Sequence, residues 1–230
     1  AYEFTINLGS ATNTDDAEGE VIATSDLRPS DAQIVEGMQG FLGEIMQVPP
    51  QFSAVKIDGQ RAYKLARAGE QIEIAARPLL VEELILADRP TPDTAVLEMT
   101  CGKGGYVRAI ARDLGAVLGC YGHVAHLRRI WSGPFDLEHA VTLEQIESFA
   151  KTAEIGQFLR PLEVGLTDLP QGTTNAEGAA KLRNGNPAIC FTKAEYGDEI
   201  WVSYEGKAQA IGRYKSGEIH PARVILQHES

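Results

Sequence analysis

The stretch Met99-Thr100-Cys101-Gly102-Lys103-Gly104-Gly105-Tyr106-Val107-Arg108 holds a change of period. Residues 94–101 read as a strand. From Tyr106 to Leu118 the period becomes that of a helix, with Val107, Ile110, Ala111, Leu114, Val117 and Leu118 on one apolar face and Gly119 as the stop. Between them lies a glycine loop. Backbone N–H groups at a helix N-terminus attract anions, and Lys103 adds charge. A plain tight connection accounts for the same residues, and both readings stand. The loop is neither GxxxxGK[ST] nor GxGxxG, since Val107 sits where the last glycine belongs, so a nucleotide-binding enzyme built on Gly102–Gly105 ranks as a third reading.

Working outward, residues 79–88 read as the strand before this one, joined to it by a proline-rich loop. His123 to Trp131 reads as the strand after the helix, broken by Gly133-Pro134. Far upstream, Tyr2, Phe4, Ile6 and Leu8 share one face of a strand while Glu3, Thr5 and Asn7 share the other. The alternation is already complete at Tyr2, so a further segment is expected to precede Ala1. Gly9 to Gly19 reads as a polar loop. Its Asn13-Thr14-Asp15-Asp16 lacks the glycine and glutamate of an EF-hand and is read as a solvated turn. Ser30 and Gln33 form a capping box that opens a helix with Ile34, Val35, Met38, Phe41 and Leu42 on one face, and Val48-Pro49-Pro50 ends that unit. A strand over 52–58, a turn at Asp58-Gly59 and a short helix from Gln60 to Ala68 closed by Gly69 follow. Thr142 and Gln145 form a second capping box, for a helix to about Ala150.

Beyond Leu166-Thr167-Asp168-Leu169-Pro170 the texture changes. One helix over 175–184 ends at Gly185. Strands near 187–192, 199–204, 208–214 and 222–227 are punctuated by Glu205-Gly206 and Ser216-Gly217, the pattern of a small β-barrel. Two domains are therefore expected, 1–168 and 169–230.

No apolar run approaches the roughly 18 residues of a membrane span, and no basic region followed by an apolar one marks a signal peptide. The cysteines, Cys101, Cys120 and Cys190, are odd in number and far apart. They suggest neither a disulfide framework nor a zinc site, and a reducing cytoplasmic setting fits. The net charge of −11 argues against nucleic acid, but the charge is unevenly spread. Residues 1–50 carry one base, Arg28, against nine acids. Residues 51–80 hold five bases and three acids, and residues 99–135 hold Lys103, Arg108, Arg112, Arg128 and Arg129 against Asp113 alone. Two central basic stretches on an acidic protein are compatible with phosphate binding.

Arg108 and Arg112 lie one turn apart, off the apolar face, and read from spacing as a solvated basic face. Tyr106 is either a core-edge residue or a platform for a base. His123 and His126 have no third metal ligand near them, and no nucleophile–base–acid triad can be assembled.

The order of segments resembles the bacterial tRNA pseudouridine-55 synthases, the TruB family. Tyr2…Leu8-Gly9…Thr12-Asn13-Thr14-Asp15…Gly19 resembles the family's Y-x(5)-LG-x-x-T-x-TD-x(3)-G. Gln47-Val-Pro-Pro-Gln-Phe-Ser-Ala-Val-Lys56-Ile-Asp-Gly59…Tyr63…Ala66-Arg67…Gly69…Ala76-Arg77-Pro78 resembles its most distinctive signature. Cys101 to Arg108, with Asp113-Leu-Gly115 and Leu118-Gly119, resembles its CSKGTYIR…DLG…LG block. His123…Leu127-Arg-Arg129…Gly133-Pro-Phe135 and Thr142-Leu-Glu144 follow in the expected order. The likeness runs to about residue 150. The tail, with Leu182-Arg-Asn-Gly-Asn-Pro187, resembles the small RNA-binding PUA module. Phe52 stands where the family often has tyrosine, and Gly102 and Gly105 replace a serine and a threonine.

The resemblance implies an α+β fold: a mixed, largely antiparallel sheet flanked by helices, with a small C-terminal β-barrel-like PUA-type domain. It implies an isomerase that cleaves the uracil–ribose bond of uridine 55 in the T arm of tRNA, rotates the base and rejoins it through C5. An aspartate is the nucleophile and no metal or cofactor takes part. That aspartate lies in a GxLDPxAxG-type motif upstream of the tyrosine matching Tyr2, a motif that these residues do not contain, so residues 1–230 alone are expected to be inactive. Tyr2 matches the tyrosine that stacks on the flipped base and moves a proton, and Arg108 the arginine that pairs with the aspartate. Tyr106 and Leu127 match residues of the base pocket. Lys56, Arg67, Lys103, Arg128 and Arg129 are phosphate-contact candidates on charge alone. The expected partner is the tRNA T arm, bound by a monomer with no membrane association. A non-catalytic RNA-binding protein on the same scaffold is the alternative.

Overall fold

The computed structural model describes residues 1–57, 59–68, 73–150 and 152–226, with the backbone alone at Ile57, Ala66, Arg67 and Ala153. It divides into two compact units, Ala1–Ser132 and Gly133–Ser230.

The first unit is built on β1 (Tyr2–Leu8), whose alternation buries Phe4, Ile6 and Leu8 and half-buries Tyr2. After β1 come β2 (Ser10–Thr12), β3 (Val21–Thr24), α1 (Asp31–Met38), β4 (Gly43–Gln47), β5 (Lys56–Ile57), β6 (Gln60–Arg61), α2 (Ala62–Arg67), β7 (Arg77–Thr91), β8 (Thr94–Cys101), α3 (Val107–Val117), β9 (Gly122–Arg129) and β10 (Trp131–Ser132). Five strands form one sheet in the order β4-β7-β8-β1-β9, with every neighbouring pair antiparallel. Helix α1 packs on β7, and α3 packs on β1 and β9. The core between sheet and helices contains Phe4, Ile6, Leu97, Met99, Ile34, Met38, Ile110 and Leu114. Burying each such side chain fully is worth roughly 1.5–3 kcal/mol, so this layer dominates the unit's stability.

The capping box at Ser30 and Gln33 is present with both of its hydrogen bonds. It starts a helix shorter than the apolar pattern suggests. Ile34, Met38 and Phe41 are buried, but Val35 and Leu42 fall off that line and are 44% and 38% exposed. In α3 the buried stripe is Val107, Ile110, Ala111 and Leu114, while Val117 is 64% exposed. Gly115 completes the stripe instead. A Cβ on it would lie 2.3 Å from the Gly122 backbone nitrogen, so helix and strand meet backbone to backbone.

Three readings change in this unit. The polar loop from Gly9 to Gly19 contains β2, which pairs antiparallel with β3. Strand β4 carried no clear alternation, because only Gln47 is buried and Met46 is 66% exposed. The strand expected over 52–58 shrinks to β5, because the carbonyls before it are committed elsewhere. Ser53 O accepts from Tyr63 N at 3.0 Å and Val55 O from Ala62 N at 2.7 Å, folding the segment back onto α2. The expected Asp58 half of the turn and the Gly69 helix stop lie outside the described residues.

The second unit starts with β11 (Phe135–Asp136) and α4 (Leu143–Phe149), whose capping box at Thr142 and Gln145 is complete. Its barrel is β12 (Gln171–Thr173), α5 (Ala176–Arg183), β13 (Ala188–Ile189), β14 (Glu199–Tyr204), β15 (Lys207–Lys215) and β16 (Glu218–Val224). The strand order is β12-β14-β15-β16-β13, with β12 and β14 parallel. Thr173 and Phe191 exchange both backbone hydrogen bonds at 2.9 Å, which joins the two ends of the sheet. Leu182, Cys190, Ile200, Val202 and Ile219 fill the interior. Glu205-Gly206 and Ser216-Gly217 all have positive φ, the two-residue hairpin geometry their sequence signals. The last strand runs from Glu218, earlier than 222–227, because the Ser216-Gly217 turn leads straight into it. The expected break at 168/169 falls inside this unit, where the barrel begins. Among the described residues no helix is long and apolar enough to cross a membrane.

Candidate active site

The antiparallel register fixes which residues meet. Tyr2 lies opposite Met99 on β8 and opposite Arg129 on β9, and Phe4 lies opposite Leu127. Directly opposed residues share a face, so Tyr2, Leu127 and Arg129 stand on the same side of the sheet as α3. The Arg129 guanidinium carbon is 5.3 Å from the Tyr2 ring centroid, within cation–π range. Leu127 is 46% exposed beside them. Met99 is two residues from the end of β8, so the glycine turn leaves the sheet at this same end.

That turn is tightly specified. Gly102 N donates to Leu80 O at 2.8 Å, pinning the exit to β7, and Gly104 has φ +87°. A Cβ on Gly105 would sit 3.0 Å from both Cys101 Sγ and Leu79 Cδ1, so the glycine found in place of the family's threonine leaves this packing tight. Tyr106 is the N-cap of α3, and its own side chain makes no capping hydrogen bond. Its main chain is held instead by Gln47. Tyr106 N donates to Gln47 Oε1 at 2.9 Å, and Gln47 Nε2 donates to Tyr106 O at 3.1 Å. The half-buried Tyr106 ring packs against Val55, Ala62 and Ile74.

In the first turn of the helix, Arg108 ties two loops together. Its Nη1 donates to Asp16 Oδ2 at 2.9 Å and Thr14 O at 3.0 Å, and its Nη2 donates to Phe52 O at 2.9 Å. Asp16 Oδ1 is itself held by Thr14 Oγ1 at 2.6 Å. The next turn repeats the pattern. Arg112 donates to Asp113 Oδ1 at 2.7 Å, to Asp15 Oδ2 at 3.2 Å and to Val48 O at 2.9 Å. Burial raises the pKa of Asp15 above the ordinary carboxylate value, and the neighbouring Arg112 offsets only part of that. Burial works against the Arg112 charge as well, but Asp113 and Asp15 outweigh it and its pKa goes up. The Asp15–Asp16 loop is also stitched to β9, through Val124 N to Asp15 O at 3.0 Å and Ala17 N to Val124 O at 2.9 Å. The solvated turn expected here is thus an anchored one: its carboxylates meet arginines rather than water alone.

Tyr2, Leu127 and Arg129 are therefore brought together, and the turn bearing Lys103, Tyr106 and Arg108 leaves the sheet at the same end. Lys103 is exposed on the turn, and Lys56 is exposed on β5. Arg128 lies opposite Glu3, on the other face of the sheet. Arg67 closes α2, and its side chain lies outside the described residues. Gln47, Asp15 and Asp16 were not singled out as site residues from the sequence. Each sits inside a motif block, but a glutamine after a strand and two acids in a polar loop carry no signal of their partners. His123 is buried on β9, its Nδ1 3.1 Å from Ser10 O.

Residues 1–107 match the TruB family pseudouridylate synthase N-terminal domain, and residues 108–167 match the tRNA pseudouridylate synthase B C-terminal domain. The chain belongs to the TruB family. It is 68% identical over all 230 residues to tRNA pseudouridine synthase B of Ruegeria pomeroyi, and covers 76% of that protein. The protein of the same name from Bradyrhizobium diazoefficiens is 41% identical over 97% of the chain and 67% of its own length. Among solved structures, a Cbf5-Nop10-Gar1 complex has a chain that superposes with a TM-score of 0.70 at 19% identity. The match covers 98% of the present chain and 65% of that one. An H/ACA RNP bound to a substrate RNA containing 2'-deoxyuridine gives 0.67 at 16% identity, over 99% of this chain and 67% of that one. At such identities the likeness is one of fold. For a TruB-family chain the α+β architecture expected from the sequence holds, and the curled C-terminal sheet fits a PUA-like domain.

Proposed function

We propose that the protein is a tRNA pseudouridine synthase that isomerises uridine 55 of the T arm. The observation that carries this reading is the meeting of Tyr2, Leu127 and Arg129 on one sheet face, at the end where β8 turns into α3. An aromatic ring, an aliphatic wall and a cation at an exposed edge suit a base flipped out of an RNA loop. Extrusion costs a few kcal/mol, and stacking in such a pocket offsets it. In this reading the uracil stacks on Tyr2, and the exposed Arg129 yields its place over the ring and turns to a phosphate. Leu127 and Tyr106 wall the pocket. The aspartate that the family carries upstream of the tyrosine matching Tyr2 attacks the ribosyl-uracil. The C1′–N1 bond breaks as the aspartate bonds C1′, the base rotates, C5 attacks C1′ and displaces the aspartate, and the C5 proton leaves with the help of Tyr2 while N1 takes one from solvent. Arg108 orients that carboxylate and keeps it ionised, since an opposite charge within hydrogen-bond reach favours the charged form. Lys56, Arg67 and Lys103 remain phosphate-contact candidates, Arg128 drops out because it lies across the sheet from Tyr2, and the barrel of residues 169–230 adds RNA contacts. The protein works as a monomer in the cytoplasm, where its three unpaired thiols are at home.

The test is tritium release from C5-labelled uridine in a T-arm hairpin incubated with the full-length protein. Release at position 55 is expected, with an affinity for the hairpin that falls steeply with salt. Tight binding without release would replace the enzyme with an RNA-binding protein on the same scaffold. An affinity indifferent to salt would remove the basic stretches as the docking face.

A further inference from the structure

Gln47 is the last residue of β4, opposite Arg77 on β7, and is 4% exposed. Val48-Pro49-Pro50 follows, and proline lacks the N–H that a sheet ladder needs, so the main chain cannot carry the pairing further. The Gln47 side chain carries it instead. Its amide gives one donor and one acceptor to the main chain of Tyr106, the same pair of bonds that a neighbouring strand would make. The N-cap side chain itself makes no capping hydrogen bond at that helix start. Two further ties join the same segment to α3, Arg112 to Val48 O and Arg108 to Phe52 O, but both use long side chains. Of these ties only the Gln47 clamp acts on the backbone of Tyr106 itself, whose carbonyl is otherwise held by Ala109 N and Ile110 N of its own helix, and so it fixes the torsions from which the ring sets out.

We infer that Gln47 is a positioning residue for the RNA base: it holds Tyr106 in the orientation that forms the pocket wall. This rests on the proposed function, in which Tyr106 lines that pocket. Glutamine suits the task because a single planar group of the right reach both donates and accepts. Methionine has a similar length but neither function, and would leave the Tyr106 N–H without its partner. Glutamate keeps the acceptor and loses the donor.

The experiment uses the full-length protein and a T-arm hairpin, with the variants Gln47→Met, Tyr106→Leu and the two combined. Misplacing a pocket wall by about an ångström is expected to lower kcat about 10- to 100-fold. For Gln47→Met the hairpin affinity should stay within about threefold of wild type. Gln47→Met should cost little further in the Tyr106→Leu background, because the ring it aims is gone. Gln47→Glu should fall between Gln47→Met and wild type. A variant that melts early but keeps its kcat, or whose loss adds fully to that of Tyr106→Leu, overturns the inference. A second readout does not need turnover: fluorine NMR of 3-fluorotyrosine at position 106, assigned with Tyr106→Phe. Hairpin binding should shift this signal in the wild type and not in Gln47→Met. If the wild type shows the shift without isomerising uridine, the enzyme reading fails while the positioning role stands. If it shows no shift at all, the positioning role fails.

Discussion

The first unit holds two kinds of positive charge. Arg108 and Arg112 are held in place, each bridging a carboxylate in the 13–16 loop and a carbonyl of the 48–52 segment. Lys56, Lys103, Arg128 and Arg129 stand in solvent. The five bases between residues 99 and 135 look like one basic stretch when counted along the chain. In space two of them bind the protein to itself, and only the others face outward. Local charge is thus a poor measure of an RNA surface until the arginines committed inside the fold are set aside.

Separating these groups by substitution should give effects of very different kinds. The largest is expected for Arg108→Met: turnover on the hairpin falls roughly 10²- to 10³-fold, as for removal of a preorganised charged donor, while the salt dependence of binding is unchanged. A reduced salt slope in that variant would move Arg108 into the outward group. Next is Arg112→Met, expected to cost about 1–3 kcal/mol of unfolding free energy in denaturant titrations, since Asp15 and Val48 O lose a charged donor. Asp15 gives this pair a pH signature. Its folded pKa lies above its unfolded value, so its contribution to stability is fully present below the unfolded pKa and is lost as pH rises through the folded one. The stability of Asp15→Asn relative to wild type should therefore improve as pH climbs across the acidic range, and a trend in the opposite direction would show that Arg112 dominates Asp15. Smaller again are Lys103→Ala and Arg129→Ala. Each should weaken hairpin binding about 3- to 10-fold and lower the salt slope by roughly one phosphate's worth, with the fold's stability intact. The smallest effect belongs to Arg128→Ala, within about 0.5 kcal/mol in affinity and stability, because it sits across the sheet from Tyr2.

Much of the scaffold was legible in the chain because local rules and tertiary packing agree there. The alternation of Tyr2, Phe4, Ile6 and Leu8 could only be a strand with one buried face, and Ser30–Gln33 and Thr142–Gln145 announce helix starts through their own hydrogen bonds. What could not be read were the features whose cause lies elsewhere in the chain. Gln47 owes its role to a residue 59 positions away, and Asp16 to one 92 positions away. Strand β4 escaped notice because an edge strand with one buried residue has no period to detect. Val117 looked like core because helical spacing says which way a side chain points but not whether the sheet extends beneath it. For the candidate site, the resemblance named Tyr2, Tyr106, Arg108 and Leu127. Which of the basic residues share their side of the sheet came only from strand register.

The backbone contact between Gly115 and Gly122 has a mechanical consequence. Helix α3 behaves as a short beam clamped near both ends, against β9 at Gly115 and by Gln47 at Tyr106. A beam held at one end can pivot; held at two, it transmits load without rotating. A single methyl group at Gly115 would therefore not be relieved by rotation, and its load would reach Arg108, two turns away. The geometry around Arg108 is in this sense machined into the fold.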